Sequence, residues 1–118
     1  MKDITLLKDN GVDVDRGIEL FGDLDTYNEM LEDFIQEAEK KMGRINSFKE
    51  EEDLENYSIL VHSLKGDAKY FGFTKLGELA YQHELESKSG NLDFVQENYL
   101  KLDEEFKRIM DILKRYLE

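Results

Sequence analysis

The stretch "VHSLKGDAKYFG", Val61 to Gly72, decides how this chain is read. With Tyr57 ahead of it, Val61, Leu64, Ala68 and Phe71 step by four and three residues, the spacing of an amphipathic helix. Gly72 stands where a left-handed residue commonly ends such a helix. Gly66, inside it, costs about 0.5–1 kcal/mol relative to Ala. A helix that carries this cost beside a histidine raises the question of what the glycine is for.

Outward from that segment the same spacing recurs. Asp53 is a plausible N-cap for the helix that holds the stretch, and "FKEEEDLEN" before it breaks the pattern. A short helix covers Val14 to Phe21 and ends at Gly22. A long one follows Asp25, with Tyr27, Met30, Leu31, Phe34, Ile35, Ala38, Met42 and Ile45 on one face. After Gly72, Thr74 can cap a helix bearing Leu76, Leu79, Ala80 and His83, which closes near residues 89–91. Asp93 with Gln96 resembles a capping box for a last helix carrying Phe94, Val95, Leu102, Phe106, Ile109, Ile112, Leu113 and Tyr116. Four longer amphipathic segments joined by short turns predict an all-α fold, an antiparallel up-down four-helix bundle with a short additional N-terminal helix as a lid. Residues 1–12 read as a less ordered N-terminal segment, and "EEE" at 50–52 as a solvated loop.

Composition agrees. The 118 residues suit one domain, with 40% hydrophobic and 37% charged residues. No Pro interrupts the helices, and without Cys there are no disulfides and no thiolate chemistry, which fits a cytoplasmic location. No apolar run approaches the roughly 20 residues of a membrane span, and the start is too acidic for a secretory signal. A net charge of −12 argues against nucleic acid and anionic membranes as partners. The chain begins at Met1, which favours a free-standing protein over an excised domain.

On a helical wheel centred on the 57/61/64/68/71 stripe, His62, Gly66, Lys69 and Lys65 fall at about 140°, 180°, 120° and 80°. Ile59 and Tyr70 fall on the same outward side, at about 200° and 220°. One face therefore presents a histidine, two cations, a patch without a side chain and two apolar groups. An exposed imidazole is a nucleophile able to accept and release a phosphoryl group. Lysine ammonium groups neutralise such a group without a metal cage, and a glycine lets a partner approach closely. The bland alternative is an exposed histidine with nearby lysines, a common helix surface.

"HSLKGDAKYFG" resembles the signature of histidine phosphotransfer domains: His, then Lys-Gly three and four positions on, then Gly at the tenth. "GVDVDRGIELFGDLDTYNEMLEDFIQEAEKKM" and "KLGELAYQHELE" resemble the helices on either side, so the likeness spans about Gly11 to Glu118. It implies that His62 is the phosphoacceptor, through Nε2, with Lys65 the phosphate-neutralising cation and Gly66 the clearance for a docking receiver domain. Lys69 adds a second cation, and Ile59, Ser63 and Tyr70 belong to the docking patch. In the family an acidic residue often follows the histidine by twenty-two positions, here Glu84. The turn around Phe73 would bring residue 84 level with residue 62, where a carboxylate could hold Nδ1–H; a surface carboxylate without that role is the alternative.

Two departures from the family pattern stand out. Asp67 replaces a usual Ser or Ala. His83 replaces a core Leu and is either a neutral core histidine or a second group near His62.

The function so implied is a phosphorelay carrier, taking a phosphoryl group from a receiver aspartate or kinase and passing it to a response-regulator receiver. It is not an enzyme and has no cofactor or metal of its own, Mg²⁺ being expected on the partner receiver. An alternative is a receiver- or kinase-docking adaptor without transfer. A metal bundle would need Glu-x-x-His pairs, but Ile59 and Ala80 precede the two histidines by three. The chain is too short for a kinase's ATP-binding domain, and having enough helices to close its own bundle it is expected to be a monomer.

Overall fold

A computed structural model describes residues 2–118. Those residues form six helices: α1 (Ile4–Asp9), α2 (Val14–Phe21), α3 (Leu24–Glu50), α4 (Leu54–Phe71), α5 (Thr74–Lys88) and α6 (Leu92–Leu117). Helices α3 to α6 are the four-helix bundle, each packed on two neighbours in the ring α3–α4–α5–α6. The particle is elongated, 42 × 23 × 22 Å.

Sequence explains most boundaries. Asp53 accepts from the Asn56 N–H and starts α4, whose buried residues include Tyr57, Val61, Leu64, Ala68 and Phe71, the stripe read from spacing. Gly72 closes it at φ 87°. The Asp13 N–H donates to the Gly72 carbonyl at 2.8 Å, and Val12 bridges to Phe73, so α2 begins against the α4–α5 turn. Phe21, Tyr27, Phe34, Phe71 and Phe73 pack as one aromatic cluster at this end, and the Tyr27 hydroxyl donates to the Phe71 carbonyl. That bond satisfies a carbonyl orphaned by the end of the helix.

Four details differ from the sequence reading. The segment 1–12 holds a helix, α1: Asp3 caps it, Leu7 is fully buried, and Arg108 of α6 donates to the Asn10 carbonyl. Met1 lies outside the described residues. Helix α3 starts from Asp23, not after Asp25, and runs on to Glu50 because Phe48, three residues past Ile45, also packs against the core. Thr74 is the first helical residue of α5 rather than its cap; Phe73 holds the cap position because its ring is buried. Asn91, not Asp93, caps α6 through the Phe94 N–H.

Candidate functional site

The α4–α5 hairpin builds the site. Its two helices run antiparallel about the Gly72–Phe73 turn, so His62 of α4 meets Glu84 of α5, and Lys65 meets Tyr81. The imidazole is largely exposed, its side chain 62% accessible, whereas the Glu84 side chain is 4% accessible. His62 Nδ1 lies 2.7 Å from Glu84 Oε2.

Two ammonium groups complete the cluster. Lys65 Nζ is 2.6 Å from Glu84 Oε1 and also lies over the Tyr81 ring. The contact with Oε1 is an ion pair without hydrogen-bond alignment, so charge rather than a directed bond holds that oxygen. Lys88, one turn along α5, donates to Oε2 at 2.7 Å. Burial pushes the Glu84 carboxyl up, but Lys65, Lys88 and the His62 N–H outweigh it and bring its pKa down to about 2. The carboxylate is therefore ionised at neutral pH and can only accept, which requires His62 Nδ1 to carry the proton. In the neutral ring that tautomer leaves the lone pair on Nε2, the nitrogen turned away from Glu84.

Around this core the face is open. Ile59 and Tyr70 are 58% and 54% exposed, and nothing lies within 4 Å of where a Cβ on Gly66 would stand. On α5, Tyr81 and Leu85 add exposed apolar surface beside Glu84. Lys69 is exposed and stands apart from the carboxylate cluster; it lines a cleft of about 310 Å³ with Arg16, Lys65 and Tyr81. The Ser63 hydroxyl is turned to α3, where it accepts from Lys41 at 2.7 Å. Lys41 also pairs with Asp67 at 2.6 Å, which neutralises the carboxylate that departs from the usual small residue. A larger cleft of about 530 Å³ opens between α3 and α6, on the opposite edge of the bundle from the hairpin.

His83 does not join the site. It is only 1% exposed, its Nδ1 is hydrogen-bonded to the Tyr57 hydroxyl at 2.7 Å, and its ring meets Phe94 edge-on. Burial lowers its pKa, with the Asn98 backbone partly opposing, so it is the neutral core histidine.

Sequence reasoning missed Lys88, Tyr81 and Lys41. The first two stand four residues after and three before Glu84, so the helical period alone places them on its face. Lys41 comes from α3 and has no local signal.

The Hpt domain family model matches residues 29–112, well over half of the chain. The chain thus belongs to the Hpt domain family, whose members are phosphocarriers of two-component phosphorelays that interact with receiver domains and kinases. Comparison with curated proteins gives no match, and comparison with solved structures gives none. Among the described residues no helix is long and apolar enough to cross a membrane.

Proposed function

We infer that this protein is a cytoplasmic, monomeric phosphorelay carrier in which His62 accepts a phosphoryl group at Nε2 and returns it to a receiver aspartate. The single observation that carries the reading is an exposed imidazole tied through Nδ1 to a buried, ionised carboxylate. As Nε2 attacks phosphorus, an Nε2–P bond forms and the P–O bond to the donor aspartate breaks, the electron pair leaving on the carboxylate oxygen. The ring keeps its Nδ1 proton and takes up positive charge. Glu84 stabilises that charge and fixes the tautomer; it does not need to accept the proton. In reverse, the protonated ring is a good leaving group.

The remaining groups divide the work. Lys65 lies beside the imidazole to balance phosphoryl charge, and Lys69 extends positive potential toward an incoming partner. The partner, with its own Mg²⁺, supplies in-line geometry and transition-state stabilisation. Ile59, Gly66 and Tyr70 on α4, with Tyr81 and Leu85 on α5, offer it an apolar, sterically open surface.

The test is phosphotransfer from a panel of phosphorylated receivers to the wild type and to His62→Gln. Acid-labile label on the wild type, absent from the variant, is expected. Receiver binding without label would instead mean a docking adaptor.

A further inference from the structure

We propose that Lys88 is a second phosphoryl-binding cation, which leaves Glu84 and binds a phosphoryl oxygen once His62 is loaded. The proposal rests on His62 being the phosphoacceptor. Three observations carry it. First, Glu84 Oε2 has two donors, His62 Nδ1 and Lys88 Nζ, each at 2.7 Å. Lys88 can leave without stranding that oxygen, whereas Lys65 is the close partner of buried Oε1. Second, the Lys88 side chain is 59% exposed and Lys65 only 29%, with Lys65 also packed over Tyr81. Lys88 is therefore the ammonium group with more freedom to move.

Third, the two lysines flank the imidazole. Because α4 and α5 are antiparallel, Lys65 lies one turn from His62 toward Tyr81, and Lys88 one turn away in the direction of Ser58. A phosphoryl group on Nε2 would have a cation on either side. Charge closes as well: a phosphoryl group brings roughly two negative charges. Two ammonium groups, one carboxylate and one protonated ring cancel them. Without Lys88 the loaded site carries an excess negative charge beside a low-dielectric wall.

The experiment loads the full chain chemically with phosphoramidate. His62 Nε2 attacks phosphorus, the P–N bond of the reagent breaks, and ammonia leaves. Lysine-ammonium and ³¹P NMR are then recorded on wild type, Lys88→Gln and Lys88→Arg. The Lys88 ammonium resonance is expected to shift on loading while that of Lys8, paired with Asp15, does not. The ³¹P resonance should move in Lys88→Gln and return in Lys88→Arg. With an exchanging receiver, the share of phosphoryl retained on His62 at equilibrium should fall about threefold to tenfold in Lys88→Gln. An unshifted Lys88 resonance, or a Lys88→Gln ³¹P signal identical to wild type, overturns the proposal. Should no receiver exchange, the relay reading fails while the two spectral arms still decide the role of Lys88. Failure of His62 to take label from phosphoramidate overturns both.

Discussion

Replacing Gly66 by Ala separates stability from function. Gly66 lies inside α4, does not have a positive φ, and would place its new methyl in open space. Nothing in the fold then opposes the intrinsic helix preference, so the variant should be more stable by about 0.5–1 kcal/mol. With an unfolding entropy of about 2.1 cal/mol/K per residue, that corresponds to a rise in Tm of roughly 2–4 °C for a chain of this length. The same methyl stands one turn from His62 on the surface a receiver must approach, so transfer should slow. Gly43→Ala is the control, since Gly43 is also helical and open but lies on α3 along the α3–α6 cleft. It should gain similar stability with transfer unchanged. Thermal unfolding followed by helical circular dichroism, and transfer followed by quenched-flow labelling, give the two readouts. Destabilisation by Gly66→Ala, or a transfer rate equal to wild type, would refute the clearance argument.

Glu84→Gln keeps the shape but removes the charge that stabilises a protonated ring, and transfer should slow on the order of tenfold to a hundredfold; an unchanged rapid-quench rate would contradict the role given to the carboxylate. Lys41→Met leaves Asp67 uncompensated in a half-buried setting and should cost about 0.5–1 kcal/mol in urea unfolding, with Asp67→Ser in the same chain restoring the loss. Acid should destabilise the fold in two stages. His83 has its pKa lowered by burial, so its stabilisation is complete above its ordinary 6.5 and is lost as pH falls below that value. Glu84, lowered to about 2, contributes above its ordinary 4.5 and loses its contribution as pH falls from there toward 2. Urea midpoints measured from pH 7.5 downward should therefore decline first through His83, a decline that Tyr57→Phe with His83→Leu abolishes.

The bundle was legible because its information is periodic. The α4 stripe, the Asp53 cap and the Gly72 stop are local signals, and each occurs where spacing placed it. Helix α1 was not legible, since six residues with one buried leucine make no period, and its anchor is Arg108, ninety-eight positions from Asn10. The cap of α5 was misread because a polar residue was assumed to lead, whereas core packing of Phe73 fixed that start; the cap of α6 was placed two residues late, on Asp93, because Asn91 reads as part of the preceding turn. In the site, the pairing of His62 with Glu84 followed from hairpin register. The partner of Asp67 did not, because Lys41 arrives from another helix.

The central claim is that His62 holds its proton on Nδ1 against Glu84 and reacts through Nε2. Imidazole ¹H–¹⁵N correlation spectra before loading, and ¹⁵N–³¹P coupling after loading by a phosphorylated receiver, test it directly. A protonated Nδ1 in the free protein and phosphorus coupled to Nε2 in the loaded one are the predicted result. A protonated Nε2 with unprotonated Nδ1, or phosphorus on Nδ1 or on another residue, would contradict it.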